Sequence, residues 1–555
     1  MIDSFSNFKN QKYYDFTGSV NLNVSELLEK PSEFEESINL IDTKLGSLQQ
    51  APWKTAFGTS PVVGYPVLGA VTFRDTSNVG HRIIAQDASG HATSSLIEIG
   101  SSSNTVRKTG LTAGKNTIFA QTFGYLFAMN SVDGLISSTG ALSSWGTVNC
   151  VGAPKTNYII EYNKNLYALG DPNMLQRVYK GFIQDPEIQA VCYVVGAQTG
   201  ATLNVDDTRY LQIGMSVDIV THGTSTILAT YTVNAIPSRK TVTLSGSLTV
   251  ADTDEIYLAG TKAAGTISIL WDKAHDWFDL SANGQPINGA AVSNNRLIIM
   301  QENVTYKYDG TSLSTVDPVV GCSSWQSIAT VGRFTFWHHK GAHYKYDGFV
   351  PIPISNPILP ILLQVPDYTK VVAIPDRFYN RIFVYLGTLT APAQAVGTDM
   401  WGVYDIFKDS WRLRSDMNAV VVFRDNTVAG VEAMLIGDNQ GQLWQIDTGT
   451  ASNLAYSMKT KYDGQNNPNE LKAYRFIAVV STSPGGNLFY SLDYNRNDYL
   501  PLGKIKDNFQ IFPFPENAQG NVISIRWADD RSGASPDLLG YTIFYQELGY
   551  EVSTQ

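Results

Sequence analysis

Apolar positions along this chain fall in short runs and period-two alternations, broken by Gly, Asp and Asn. Arg296-Leu-Ile-Ile-Met-Gln-Glu-Asn-Val-Thr-Tyr306-Lys-Tyr308-Asp309-Gly310 combines an apolar strand, a polar turn, an alternating strand whose tyrosines share a face, and an Asp-Gly turn. The phrase returns over residues 334–348, where Tyr344, Tyr346, Asp347 and Gly348 stand 38 residues beyond their counterparts. A repeated antiparallel strand pair at this spacing predicts a β-propeller. Units begin near 124, 165, 296, 334, 382 and 433, the last carrying Trp444 and Ile446 in the aromatic slots. The expected fold is all-β, a propeller of about six blades.

Three stretches depart from the repeat. Residues 1–50 form an N-terminal docking arm, expected to lie on the first strands. Within it Ser32 and Glu35 make a capping box that predicts a short helix, followed by a strand from Ile38 toward Gly46. Residues 51–182 and 265–450 carry the two parts of the propeller. The interval between them, 183–264, holds short, evenly spaced strands nearly free of aromatics, which predicts a small β-barrel inserted between blades as a tip or fibre dock. Beyond 450 the repeat stops, and alternating strands around 474–480, 488–493, 522–526 and 541–545 predict a C-terminal β-sandwich over 451–555, serving as platform or attachment.

Composition narrows the function. The chain has 555 residues, 43% hydrophobic and only 16% charged, enough for several cores and better suited to sheets than to long helices. No apolar run reaches the ~18 residues of a membrane span. The polar residues 1–12 lack a positive-then-apolar leader, so no export signal is expected. Cys150, Cys192 and Cys322 are too few and too far apart for a disulfide framework or zinc site, and read as small buried hydrophobes. A net charge of −10 argues against stable nucleic-acid binding, which needs a basic face, but not against a wall that DNA slides past.

No catalytic, cofactor or metal site is expected. His338, His339 and His343 resemble a metal cluster, but adjacent strand residues face opposite ways, and they read as histidines at the edge of a hairpin. Asp493-Tyr-Asn495-Arg-Asn497-Asp498 mimics the start of a calcium loop but has Lys504 where a bidentate Glu belongs. Asp252-Thr-Asp254-Glu255 reads as a solvated turn. Asp309 and Asp347 read as turn formers rather than a glycosidase pair. Tyr306, Tyr308, Tyr344, Tyr346 and Trp444 read as packing between blades rather than a sugar platform. Ser131-Val-Asp133-Gly134-Leu departs from the sialidase Asp box, the single Trp271-Asp272 does not make a WD40 repeat, and neither a Gly-x-Ser-x-Gly elbow nor a phosphate-binding glycine loop occurs.

The order of parts carries a resemblance. Asn39-Leu-Ile-Asp42-Thr-Lys-Leu45-Gly46 leads into the Tyr-x-Tyr-Asp-Gly repeats. Trp401-Gly-Val-Tyr404-Asp-Ile-Phe-Lys-Asp-Ser-Trp411 follows, then Lys472-Ala-Tyr-Arg475-Phe-Ile, Phe489-Tyr-Ser-Leu-Asp493 and Gly540-Tyr-Thr-Ile-Phe-Tyr545. Over most of its length, the barrel excepted, the chain resembles the tail nozzle, tail tubular or packaged-DNA stabilisation proteins of short-tailed bacteriophages. The resemblance implies a structural virion protein, not an enzyme, assembled in the host cytoplasm and located in the tail. It implies a homo-oligomeric, hexameric ring that joins the adaptor and portal-proximal tail proteins, docks tail fibres or spikes, and passes double-stranded DNA transiently. It implies no compact active site. Two other readings are a lectin-like receptor-binding propeller and a glycan-degrading propeller enzyme.

Overall fold

The structure is a computed structural model. It describes residues 8–550 apart from 20, 23–32, 43–46, 53, 59, 76, 101–102, 123, 139–141, 143, 147–149, 151, 185–188, 265–267, 282–283, 390–398, 416, 428–431, 449–454, 466, 496–497 and 530–534. The chain is all-β and propeller-like in its parts. It divides into two units: Met1–Phe57 with Cys322–Arg424 and Ala433–Gln555, and Gly58–Gly321 with Asp425–Glu432.

The second unit is a succession of antiparallel meanders. The first comprises Val67–Arg74, Gly80–Asp87, Ser94–Ile99 and Asn104–Leu111; the next runs from Ile118–Thr122 to Trp145–Gly146. The third joins Tyr158–Tyr162, Asn165–Asp171, Met174–Gln184 and Ser268–Trp271, and the fourth runs from Ile287–Ser293 to Leu313–Asp317. Two-residue turns make the hairpins tight. Asn163-Lys164 and Asn294-Asn295 have both central residues at positive φ, the geometry whose twist matches paired strands. Each sheet shares a core with the next: Ile83 and Leu96 with Leu126, Met129 and Leu135 with Ile159 and Leu166, Tyr167 and Leu169 with Leu297 and Ile299. Sheets stacked face to face in chain order are the packing of propeller blades.

The six-stranded sheet spanning Cys192–Tyr193 to Glu255–Leu258 has its own core of Val217, Ile219, Val233, Leu244 and Ile256. Its two end strands meet at the Val194–Val205 bridge, so the sheet curls into a small barrel. It is inserted within a blade rather than between blades. Met174–Gln184 runs on past residue 183, and its pairing resumes with Ser268–Trp271 on the far side of the barrel.

The first unit holds three more blade-type sheets. Ala329–Val331 to Ile352–Pro353 is one; Val372–Asp376, Arg381–Thr388, Asp399–Asp405 and Ser410–Ser415 make another; Val421–Asp425, Ala433–Gly437, Leu443–Gln445 and Thr55–Ala56 make the third. Seven such meanders occur among the described residues, against about six expected. The six predicted starts fall on second strands, and the meander over residues 67–111 is the addition.

The arm does not lie on the first strands. Lys9–Tyr13 and Leu48–Gln50 pair with Asp537–Tyr550, while Phe34–Ile38 sits between Ser410–Ser415 and Ser457–Thr460. The expected helix gives way to a strand at Glu35, because tertiary pairing overrides a local capping signal; residues 24–32 of that prediction lie outside the described residues. The arm thereby completes the C-terminal sandwich. One sheet has nine strands, from Val372–Asp376 through Phe34–Ile38 to Leu500–Lys504, and the other has seven. Tyr490, Ile525 and Trp527 of the first share a core with Ile477, Tyr541 and Ile543 of the second.

Candidate functional site

Most of the residues singled out in the sequence serve the scaffold. His338 and His343 face each other across the hairpin of Phe334–His339 and Ala342–Tyr346, on the two inner strands of their sheet rather than at an edge. Their rings lie 6.2 Å apart, His338 is 5.3 Å from the Tyr368 ring, and both histidines are buried. Burial pushes the His338 pKa down to about 3 and that of His343 well below its ordinary value. His339, next in the strand, points to the opposite face. Among the described residues no three metal-ligating side chains come together.

Asp254 and Glu255 do not form a solvated turn. Both are buried, Asp254 accepting from the backbone N–H of Ala251 at 2.8 Å and Glu255 from the Tyr257 hydroxyl at 2.8 Å and His222 Nδ1 at 3.0 Å. The donors at one end of the barrel have no strand to pair with, and these carboxylates satisfy them. Asp493 accepts from the Asn521 N–H at 2.7 Å, and Asn497 lies outside the described residues. Asp309 takes the N–H and hydroxyl of both Thr311 and Ser312, hydrogen bonds that hold its carboxyl far below the usual range. Asp347 accepts from the Phe349 N–H at 3.2 Å. Tyr306, Tyr308 and Tyr346 are buried, and Tyr308 stacks on Phe278 at 4.6 Å. Trp444 lies under the Lys54 ammonium at 4.4 Å. All three cysteines are buried, which lifts the Cys150 and Cys322 thiols to about 12.

The feature the sequence reading missed is a cleft in the first unit, built on the sheet that contains Trp401 and Trp411. Two of its turns share one design. Asp376 accepts from the N–H groups of Phe378 and Tyr379, both at 3.2 Å; Asp405 accepts from those of Phe407 and Lys408 at 3.0 and 2.9 Å. Four residues after each Asp, Asn380 (φ 53°) and Asp409 (φ 51°) occupy the left-handed region that Asn and Asp tolerate best. The turn so formed throws its third residue outward. Phe378 is 79% exposed and Phe407 78%, with Tyr379 at 54%. First and third turns of an antiparallel meander lie at the same end, so the rings gather there.

Beneath the rings the floor is charged and held in place. Arg381 donates to Asp376 at 2.7 Å and to Asp447 at 3.0 Å. Burial opposes the Arg381 charge, but Asp447 and Asp376 outweigh it and raise its pKa. Arg414 pairs with the other Asp447 oxygen and donates to the Pro52 carbonyl; Lys408 pairs with Asp42. The N-terminal arm with the adjoining Pro52 therefore supplies one wall, through Thr17, Ile41 and Asp42. The cavity encloses about 680 Å³, inside the range of small-ligand sites. The available signal was a pair of Asp-x-Phe phrases, at 376–378 and 405–407, 29 residues apart.

No protein-family model and no curated protein matches the chain. Among solved structures, the computationally designed Ika8 protein matches with TM-score 0.33 and 10% identity, covering 70% of this chain and 99% of the designed one. YCF48 bound to a D1 peptide matches with TM-score 0.36 and 10% identity, covering 74% of this chain and 98% of YCF48. Superpositions this loose carry no argument, and the propeller-like reading of the fold rests on the stacked four-stranded sheets themselves.

Proposed function

We propose that the chain is a structural virion protein, a subunit of the ring-shaped tail nozzle of a short-tailed bacteriophage. The ring, six copies in this reading, retains packaged DNA and then passes it, joining the adaptor and portal-proximal proteins at one end and tail fibres or spikes through the inserted barrel. The observation that carries the proposal is the order of parts: propeller-type sheets, a barrel inserted into one of them, and an arm woven into a C-terminal sandwich, in a chain whose sequence resembles that family.

Mechanics support it. Phe34–Ile38 bonds to a blade strand on one side and a sandwich strand on the other, so blade and sandwich share one hydrogen-bonded sheet. A wall around DNA under pressure gains from such continuity, since the Ile38–Leu413 pairing and the Asn39 hydrogen bonds to Ser415 tie blade and sandwich directly. The barrel carries exposed apolar residues suited to a dock, Ile213 at 70% and Val195 at 51%. The cleft's carboxylates are all engaged, Asp447 by two arginines, Asp42 by Lys408 and Asp405 by backbone, which favours a binding role over general acid–base chemistry. An acidic chain also suits a lumen that is net negative or neutral; a contiguous Lys/Arg belt around the lumen of the assembled ring would contradict this.

A second reading, a receptor-binding propeller, is favoured by the aromatic-rimmed cleft. Gold-labelled antibody against the purified chain, applied to short-tailed virions of the source phage, separates the two. Label around the tail axis next to the adaptor is expected; label confined to fibre tips would favour the second reading.

A further inference from the structure

We propose that the cleft between the turns 376–381 and 405–409 binds a neutral oligosaccharide. The inference stands on the cleft alone and does not depend on the tail reading.

Its composition selects the ligand class. The rim is aromatic, with Phe378, Tyr379 and Phe407 more than half exposed in one 680 Å³ cavity. The hydrogen-bonded turns fix the backbone from which the rings project; Phe378 and Tyr379 pack edge to face at 4.7 Å, Arg381 covers one face of Tyr379, and the exposed ring surface suits the C–H faces of a sugar ring. The floor is polar, with Asp42, Asp405 and Asp447 set against Lys408 and Arg381. Each is fixed by an ion pair or a turn, so acceptors and donors are oriented before any ligand arrives.

Other ligand classes fit less well. A wholly apolar ligand would strip water from five charged groups and return no hydrogen bonds. A phosphate or nucleic acid would meet three carboxylates against two cations. An extended peptide is held by a free strand edge, whereas this rim consists of side chains on turns. A neutral polyol matches both layers, rings against its C–H faces and charged groups against its hydroxyls.

The test uses the full-length chain on an array of neutral and acidic glycans, followed by calorimetric titration of the best binder. Neutral oligosaccharides are expected to bind. Phe407→Ala and Tyr379→Ala should each weaken binding about tenfold or more, while Phe349→Ala, an exposed ring outside the cleft, should leave it unchanged. Thermal melts matching the parent establish that the variants fold. In the unsubstituted chain, saturating glycan should slow amide exchange at 376–381 and 405–409. The proposal is overturned if no glycan binds, if only acidic glycans bind, or if both cleft variants bind like the parent. It is also overturned if those turns are protected by self-association alone, which would make the face an interface between copies.

Discussion

The Asp-Gly turn at 309–310 and the Asp-x-Phe turns at 376–381 and 405–409 use the same local chemistry to opposite ends. In each, a carboxylate accepts the backbone N–H groups two and three residues on. At Asp309 the flanking aromatics point inward, and Tyr308 stacks on Phe278 while its hydroxyl donates to the Gly310 carbonyl at 2.6 Å. At Asp376 and Asp405 the aromatic sits inside the turn and points outward. A turn motif therefore says where the chain reverses, and the residue at its third position says whether anything is left to bind. The tyrosines of the repeat mark scaffold, whereas an Asp-x-Phe turn leaves its ring exposed, at 376 and 405 and also at Asp347 in the repeat's second copy.

That contrast can be broken by substitution. Tyr308→Ala empties a packed position and should lower stability by about 3–5 kcal/mol in denaturant titration. A loss below about 1 kcal/mol would mean that the inward tyrosines are not what holds their sheets together.

Acid should act next most strongly, on the buried pair His338 and His343. Both are neutral in the folded chain with lowered pKa values, whereas the unfolded chain binds their protons below about pH 6.5. Their contribution is thus fully present above that pH and is lost as pH falls toward the folded value, about 3 for His338. The slope approaches about 1.4 kcal/mol per pH unit for each histidine. His338→Phe should flatten the acid limb of the melting temperature against pH; an unchanged limb would place the acid sensitivity elsewhere.

Within the cleft, Asp376→Ala removes a turn acceptor and one of the two carboxylates holding Arg381, and should cost about 2 kcal/mol. Asp405→Ala removes the turn's backbone acceptor and one of the carboxylates facing the buried Arg412, and should cost about 1 kcal/mol. The smallest effect belongs to Phe407→Ala, within about 0.5 kcal/mol of the parent, since a ring that is mostly in water contributes little to the fold. Equal losses from Tyr308→Ala and Phe407→Ala would erase the distinction between the two kinds of turn.

Local signals carried much of the architecture. Asp-Gly and Asn-rich turns flanked by alternating strands located six of the meanders, because hairpins are decided by neighbouring residues. The meander over residues 67–111 is the one that the predicted starts leave out. What stayed hidden depends on partners far along the chain. Phe34–Ile38 follows a helix-capping pattern, yet its strand partners lie at 413 and 457–460. The barrel was visible but its insertion point was not, since Met174–Gln184 finds its mate only at Ser268–Trp271. Asp254 and Glu255 looked solvated because His222, which donates to both, lies 32 and 33 residues away in the chain. The cleft combines segments from 17–52 with 378–447, so no local window contains it.

Electron microscopy of the purified protein, alone and mixed with virion tail parts, tests most directly whether the chain forms a ring that joins a tail. Closed rings of six copies that seat on the adaptor end of the tail parts are expected. A chain that stays monomeric at every concentration and never joins a tail would contradict it.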